Sequence, residues 1–525
     1  MDSLVMRHLP ALLIATPLLA AFLMPILGSA GPKIRNAWVL FGALATAAVG
    51  FALACKVFSG GTVLYVFGAA APHAVIPMDS GGIPVRIVFQ IDALGALMVA
   101  LSSLSALAVV VYSLAAESRN SGLDTFYAML FLLVAGVLGM VSTGDVFNFF
   151  VFLEISSLAG AALVAFRIDK GFAVEAGLKY ALVSTLGALA VLTAVGILVG
   201  QYNALNLATL ASRIQFSTLD MIALVLLAVP LAMKCGSVPM HFWTPDAYSA
   251  APSSVTAFLV VSSQASLYGL FRILFTLYGD LLRFDWSAFG WFLIVLGVLS
   301  AFVGVTMAIP QKDVKRLMAY HSVSQTGYML LGAGVGLAVL GKIDVLDAYG
   351  KTAIAGALFH MFNNALYKGL LFLTAGAVFL RAGTRNLNRL GGLGHSMPWT
   401  MGFFMVGALA IAGIPPFNGF ASKLLIYESV FRFSPLLSVL AMVVSVLTLA
   451  SFVKVFHAMF MGPPRAEFAH AREVPAPMIA GMALLAAAIV VSGLLPQVFV
   501  DRMVMPAVEA LLDRAGYVAA ILGGS

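Results

Sequence analysis

Residues 147–166 read FNFFVFLEISSLAGAALVAF and carry a single charged side chain, Glu154, near their centre. A helix needs about 20 apolar residues to cross a bilayer, so this run has the length of one span. A charge at the bilayer centre costs roughly 2.5–3.5 kcal/mol even on a lenient insertion scale, and chains keep few of them without a use. The stretch therefore predicts a transmembrane helix with a functional carboxylate.

Apolar runs of this length recur along the whole chain. Of its 525 residues, 62% are hydrophobic and 10% are charged, whereas a soluble domain has about 45–50% apolar and about 25% charged residues. Water-soluble cores cannot bury so many apolar side chains, so the composition excludes soluble, disordered and fibrous proteins, including a soluble enzyme. We predict an all-α polytopic membrane protein with about fourteen transmembrane helices in a lipid bilayer.

The remaining totals bear on cofactors, partners and topology. The net charge of +7 is attributed to basic loops, not to nucleic-acid binding. The two cysteines, Cys55 and Cys235, are too few for an iron–sulfur cluster or a structural zinc site, so we expect no cofactor and no metal. Short loops richer in lysine and arginine on one side favour both termini outside the cell membrane. The first apolar run follows Arg7 and His8 without an Ala-x-Ala site, which predicts a retained span, not a signal peptide.

Four regions are expected along the chain. Residues 1–123 would hold helices 1–3, residues 124–278 a first group of five helices (4–8), residues 287–461 a second group of five (9–13), and residues 462–525 the last helix and an amphipathic tail. Residues 60–90, rich in Gly, Pro and Val, are predicted to form an ordered loop with strand character.

Helix-breaking residues interrupt two of the predicted spans. Residues 234–239 read KCGSVP, and residues 413–419 read GIPPFNG. Proline removes a backbone donor, and irregular backbone inside a membrane is tolerated only where protein or a water-filled cavity satisfies it. Paired broken helices in two halves of a chain are typical of inverted-repeat transporters. We therefore predict broken helices 7 and 12, each the fourth member of its group.

Basic side chains inside the spans are the most informative part of the sequence. Lys234, Lys368 and Lys423 fall near mid-membrane, as Glu154 does. One such residue could be buried and satisfied by a single partner, but a carboxylate with three lysines indicates a function. Arg272 and Lys454 differ because they lie within reach of helix ends, where we expect their side chains to extend to the interface.

Two helical spacings add polar groups to this set. His360, Asn364 and Lys368 share one helix face in a column about 12 Å tall, which can hold a chain of waters and favours a proton relay. Lys179 follows Glu175 by four residues, the spacing of a same-face ion pair, so a relay role and a scaffold role stay open for it.

These residues occur in a recognisable set of motifs. The chain resembles the antiporter-like proton-translocating subunits shared by respiratory complex I, Mrp-type cation/proton antiporters and membrane-bound hydrogenases, over roughly residues 90–430. The resemblance rests on residues 144–154 (GDVFNFFVFLE), 175–180 (EAGLKY), Lys234 with 239–246 (PMHFWTPD), 251–255 (APSSV), 315–325 (KRLMAYHSVSQ), 360–368 (HMFNNALYK) and 422–423 (SK).

The resemblance implies a fold and a path for protons. It implies fourteen helices containing two five-helix inverted repeats, with Glu154 on the fifth helix paired to Lys234 on the seventh. Lys368 and Lys423 would continue a hydrated polar axis along the membrane plane.

The sequence departs from the family pattern at two positions. Gln264 stands where many relatives carry lysine or histidine on the eighth helix, and Asn364 stands where many carry histidine. An amide orients water but holds no proton at neutral pH, so the relay would rest more on water and His360, or be weaker. The chain also lacks the long lateral helix of subunits that end a complex I arm, which favours the hydrogenase type, the Mrp type or an inner complex I subunit.

The predicted function is that of a proton-translocating membrane subunit in a redox-driven complex, with electron chemistry in other subunits. His241 and Asp246, after the break in helix 7, are candidates for coupling to a neighbour or guiding proton uptake. The expected partners are other membrane subunits and protons. A subunit of a multi-subunit Na⁺/H⁺ antiporter, with sodium as a further partner, is the alternative. A membrane anchor that has lost pumping is a third interpretation, supported only by the amides Gln264 and Asn364.

Overall fold

A computed structural model describes residues 4–68, 87–279, 285–463, 465–468 and 470–523. The first half of the described chain contains α1 Leu4–Arg7, α2 Leu9–Phe22, α3 Met24–Ser29, α4 Pro32–Gly60, β1 Val63–Val66, β2 Val88–Ile91, α5 Ala93–Ala116, α6 Leu123–Ser142, α7 Val146–Val164, α8 Gly171–Tyr202, α9 Leu207–Arg213, α10 Thr218–Lys234, α11 Trp243–Ala250 and α12 Ser253–Phe271. The second half contains α13 Ser287–Ala308, α14 Val314–Ala338, α15 Ile343–Val345, α16 Lys351–Ala382, α17 Pro398–Ala412, α18 Asn418–Phe433, α19 Pro435–Phe460, α20 Ala476–Leu494, α21 Pro496–Phe499, α22 Met505–Leu512 and α23 Arg514–Leu522. Short π-helical segments, Arg272–Leu277, Leu346–Gly350 and Val500–Val504, continue or join several of these helices.

Eleven helical segments of the described chain are long and apolar enough to cross a membrane. This confirms the helical, multi-pass architecture predicted from composition; the described chain is mostly helical, with one two-stranded sheet. The positions expected for spans 7, 10 and 12 are occupied by α10, α14 and the pair α17–α18, which are shorter or more polar than the other spans. The count of fourteen spans and the two inverted repeats therefore stay predictions.

The most buried helices are α12, α14 and α16, which are enclosed along nearly their whole length. Outer helices instead present apolar side chains outward, as α8 does with Leu178, Leu182 and Leu186. Such exposure costs nothing against lipid tails, which are as apolar as leucine. The polar residues of the three enclosed helices are thereby kept away from lipid.

Close packing of α13 against α14 depends on small residues. A Cβ atom placed on Gly297 would lie 2.7 Å from the Leu331 backbone nitrogen and 2.8 Å from the Gly327 carbonyl oxygen. Within a membrane the hydrophobic effect does not drive helices together, because lipid tails are as apolar as the side chains. Helix association relies instead on close backbone approach of this kind. The glycine spacing on α13 thus fixes the position of α14, which carries several polar groups.

Both predicted helix breaks are confirmed. The first separates α10 from α11 and contains Gly236 at φ 81°, and the second separates α17 from α18 and contains Gly413 at φ 78°. Side chains satisfy the exposed backbone at the first break: the Val238 N–H donates to Ser300 Oγ at 2.9 Å, and Thr326 Oγ1 donates to the Cys235 carbonyl at 3.1 Å. The first break is therefore sealed by protein groups, as irregular backbone in a membrane requires.

The strand character predicted for residues 60–90 is confirmed at the two ends of that stretch. Strands β1 and β2 pair antiparallel, with Val63 opposite Ile91 and Val66 opposite Val88. Residues 69–86, between them, lie outside the described residues.

The predicted position of Arg272 at the interface is wrong. Its side chain is buried, and the guanidinium forms an ion pair with Asp92, donates to the Tyr268 hydroxyl at 3.2 Å and lies 5.2 Å from the centre of the Tyr517 ring. Asp92 is the N-cap of α5 and supplies a buried counter-charge that spacing along α12 could not reveal. Tyr517 belongs to α23, so the C-terminal tail packs on the helical bundle at this point.

Candidate functional site

Lys234 is the last residue of α10, and its buried ammonium faces α7. It donates to Ser157 Oγ, three residues beyond Glu154 on that helix. The charges of Glu154 and Lys234 interact, but among the described residues no direct ion pair joins them. The direct partner of Lys234 is thus a serine that sequence reasoning missed, and the Glu154–Lys234 pair stays a prediction.

Lys179 belongs to an ion-pair network. Its ammonium lies 2.6 Å from a Glu175 carboxylate oxygen and 3.1 Å from an Asp246 oxygen, and the other Asp246 oxygen accepts from Arg316 at 2.8 Å. The same-face pair with Glu175 is confirmed. The Lys179 side chain is 45% exposed, so it lies at the periphery and its main partners are carboxylates.

Two other predicted residues lie near the first break. His241 is half-buried between α10 and α11, and its Nδ1 has no hydrogen-bond partner in the described part of the chain. Gln264 is buried on α12, where its Nε2 donates to Ser263 Oγ at 3.3 Å while its Oε1 has no partner among described groups. Both side chains retain polar atoms that could bind water.

His360 has a complete set of partners. Its Nδ1 lies 3.0 Å from Ser422 Oγ, and its Nε2 lies 3.2 Å from Gln325 Oε1 and 3.3 Å from the Tyr367 hydroxyl. Asn364 is buried one turn further along α16. The imidazole therefore connects α16 to α14 and α18.

Lys368 and Lys423 are buried on α16 and α18. Lys368 Nζ donates to the Met318 carbonyl of α14 at 2.6 Å. Lys423 Nζ reaches back across the second break to the Ile411 carbonyl at 2.8 Å and to Ser445 Oγ at 2.9 Å. The three residues predicted to share a face of α16, His360, Asn364 and Lys368, are all buried there, yet the histidine and the lysine contact different parts of α14.

Tyr328 of α14 lies between His360 and Lys423. The ammonium of Lys423 is 5.0 Å from the centre of its ring, within cation–π range, and the imidazole of His360 is 5.4 Å away. Tyr328 was not singled out from the sequence, because a tyrosine in an apolar span is indistinguishable there from a core residue.

His321 of α14 is the other polar residue that sequence reasoning passed over. It is fully buried, neither ring nitrogen has a hydrogen-bond partner among the described residues, and the charges of Lys368, Lys423 and Lys454 act on it. In the sequence, segment 315–325 contributes to the family resemblance as a motif. A histidine in a membrane helix is itself a signal of function, and that signal could have identified His321.

A charged cavity of about 360 Å³ opens at one end of the bundle. Buried Glu117 lines it, 3.7 Å from Arg167 and bonded by Ser254 Oγ at 3.1 Å. Burial raises the pKa of this carboxyl, while Arg167 and Ser254 act against that rise. Lys315 and Arg385 also line the cavity. Within the described ranges, no three His, Cys, Asp or Glu side chains are grouped so as to hold a metal ion.

Comparison with known proteins places this arrangement in a family. The family described as "NADH:quinone oxidoreductase/Mrp antiporter, TM" matches residues 143–448, more than half of the chain. The chain belongs to this family. That match contains both helix breaks and the residues of the three enclosed helices, so the resemblance inferred from the motifs is confirmed.

Individual relatives come from several kinds of complex. The chain is 34% identical to NADH-quinone oxidoreductase subunit N of Desulforudis audaxviator (strain MP104C), over 95% of this chain and 98% of that protein. Among solved structures, a chain of the Mrp complex from Dietzia sp. DQ12-45-1b matches with a TM-score of 0.83 and 26% identity, covering 99% of this chain and 100% of that one. A chain of the membrane-bound sulfane sulfur reductase, an archaeal respiratory membrane complex, matches with a TM-score of 0.85 and 28% identity. The match covers 98% of this chain and 100% of that one.

Proposed function

We propose that this protein is a proton-translocating membrane subunit of a redox-driven complex. Protons would move through buried groups that run from Glu154 and Lys234, past Gln264, to His360, Lys368 and Lys423. Support comes from the near full-length likeness to an NADH-quinone oxidoreductase subunit and from the fold shared with an archaeal respiratory complex. Electron transfer would take place in other subunits of the same complex.

The observation that carries the proposal is how the three buried lysines are bonded. Lys234 donates to a serine hydroxyl, Lys368 to a backbone carbonyl, and Lys423 to a carbonyl and a serine hydroxyl. Within the described chain, no carboxylate forms an ion pair with any of them. Ionisable side chains inside a membrane mark ion pathways and proton relays. A carboxylate partner would favour the charged form of a lysine, so ammonium groups held only by neutral oxygens release a proton more readily than ion-paired ones.

The mechanism is electrostatic. When Glu154 gains or loses a proton, the field at Lys234 changes, because the two charges interact across α7 and α10. Lys234 then retains or releases its proton toward the next group. Moving one charge against 100 mV requires about 2.3 kcal/mol, which the energy released in a partner subunit would supply. Gln264 and Asn364 would orient water along the way.

The assembly and location of the chain follow from the same proposal. The structural neighbours are multi-subunit membrane complexes, and we infer that this chain is likewise held among other membrane subunits. Its place would be the cell membrane with both termini outside, as the distribution of basic loop residues favours.

The proposal is tested with Lys234→Ala in the native complex. In inside-out membrane vesicles we expect this variant to abolish proton accumulation driven by the electron donor of the complex, while the subunits still co-purify. Lys351→Ala is the matched control, because that lysine is partly exposed and pairs with Asp347 four residues before it. Normal proton accumulation by Lys234→Ala would overturn the proposed function.

A subunit of an Mrp-type Na⁺/H⁺ antiporter is the second candidate, favoured by the match that covers nearly all of both this chain and a chain of the Dietzia Mrp complex. Proton flux that depends on sodium and needs no electron donor would support it. Purification of the native complex separates the two candidates, since flavin or iron–sulfur subunits would co-purify only in the redox-driven case.

A further inference from the structure

His321 differs from His360, the other fully buried histidine of the described chain, because its imidazole has no hydrogen-bond partner among the described residues. The residue is 0% exposed, and neither Nδ1 nor Nε2 forms a hydrogen bond within the described chain. Leaving one buried polar atom unsatisfied costs about 1–3 kcal/mol, and such groups are rare in native structures. His360, by contrast, is held through both nitrogens by Ser422, Gln325 and Tyr367.

The position of His321 on α14 lies between the contacts of two lysines. Lys368 donates to the carbonyl of Met318, one turn before His321, and Lys423 lies against the ring of Tyr328, two turns after it. Steps of three and seven residues put Met318, His321 and Tyr328 on one helix face. From Met318 to Tyr328 the face covers ten residue steps, or about 15 Å at 1.5 Å per step.

The described elements around the imidazole present positive charge and an apolar ring. Lys368 of α16, Lys423 of α18 and Lys454 of α19 act on it electrostatically. The Phe452 ring of α19 lies 4.9 Å from it, ring centre to ring centre. Contact with one aromatic ring restricts the orientation of the imidazole, while its nitrogens remain available.

From this geometry we propose that His321 is a proton-carrying residue between Lys368 and Lys423, an inference that rests on the proposed function. The Lys368 ammonium gives up one proton, which adds to one ring nitrogen of His321. The other ring nitrogen then releases its proton to the neutral amine of Lys423, which leaves the imidazole in the opposite tautomer. Exchange of the ring proton through bridging water restores the first tautomer before the next transfer. One proton moves and no electron is transferred. Water bridges the gaps that exceed hydrogen-bonding distance.

This assignment also accounts for the amides in the sequence. Gln264 and Asn364 hold no proton at neutral pH, and His360 is fully bonded, so the axis lacks a free imidazole on α12 and α16. His321 supplies one on α14.

The test compares proton accumulation by His321→Gln and His321→Ala in vesicles containing the assembled complex. His321→Gln is expected to lower the rate at least tenfold without changing the amount of co-purified complex. Added imidazole is expected to restore a large part of the rate in His321→Ala, because a small base can occupy the vacated space. Ser324→Ala is the control, since that buried serine of α14 donates to the Ala301 carbonyl of α13, away from the lysines.

Two outcomes would overturn this inference. One is a normal rate in His321→Gln, and the other is a loss in both variants that imidazole leaves unchanged, which would assign a purely structural role. Lys368→Ala distinguishes a failure of the role assigned to His321 from a failure of the proposed function. If Lys368→Ala abolishes proton accumulation while His321→Gln does not, only the role of His321 fails; if both accumulate protons normally, the proposed function fails as well.

Discussion

At the scale of single residues, the decisive fact is that hydroxyl and carbonyl oxygens hold the buried ammonium groups. Ser157 is the clearest case, because its Oγ accepts from Lys234 and donates to the Leu153 carbonyl at 2.5 Å. The hydroxyl thus fixes the ammonium one turn from Glu154 without neutralising it. In the proposed mechanism, this neutral partner would leave the charge of Glu154 to determine whether Lys234 keeps its proton.

Ser157→Ala is therefore expected to lower the rate of proton accumulation severalfold. The variant removes the partner of Lys234 but not its charge, so Lys234 would no longer be held near Glu154. Ser156→Ala is the matched control: Ser156 is also buried and donates to the same Leu153 carbonyl, at 2.9 Å. Proton-accumulation rates in vesicles with equal amounts of complex provide the measurement, and equal rates in the two variants would contradict the assigned role of Ser157.

At the scale of helices, the position of the polar groups depends on how closely α14 approaches α13. Gly297 permits that approach, since a Cβ there would lie 2.7 Å from the Leu331 backbone nitrogen of α14. Gly297→Ala is expected to lower the free energy of unfolding by about 1–3 kcal/mol through overpacking, seen as a lower melting temperature of the purified complex. Proton accumulation should fall with it, because His321 and Tyr328 would shift with α14.

Gly196→Ala is the control for that prediction. Gly196 lies on outer helix α8, and a Cβ there would meet no atom within 4 Å. Replacement of glycine by alanine within a helix is then neutral or stabilising. Equal melting temperatures for the two variants would show that the α13–α14 contact tolerates an added methyl group.

The same helices show what could be predicted from the sequence and what could not. The multi-pass helical architecture and the two breaks follow from local properties, apolar run length and the placement of Gly and Pro, and these predictions are confirmed. The partners of Lys234 and Arg272 lie 77 and 180 residues away along the chain, so hydropathy and spacing on one helix carry no information about them. The sequence shows that residue 321 is a histidine. It does not show that His321 lacks hydrogen-bond partners in the described chain, because that depends on how four helices pack around it.

At the scale of the whole molecule, one carboxylate connects the two halves of the chain. Asp246 of α11 accepts from Lys179 of α8 with one oxygen and from Arg316 of α14 with the other. Helix α11 begins after the break that follows Lys234, and α8 packs against both α10 and α11, whereas α14 carries His321. In the proposed mechanism, Asp246 would transmit a movement at the first break to the second group of helices.

Asp246→Asn is expected to reduce proton accumulation per electron-donor turnover severalfold while changing the melting temperature little. Partly exposed ion pairs contribute about 0–1 kcal/mol each, so their loss should not unfold the protein, but an amide cannot hold two cations in a fixed position. Asp347→Asn is the control, because Asp347 forms an exposed ion pair with Lys351 of the adjoining helix. Parallel measurement of donor oxidation and vesicle acidification gives the ratio; an unchanged ratio in Asp246→Asn would mean that the two halves communicate through buried groups alone.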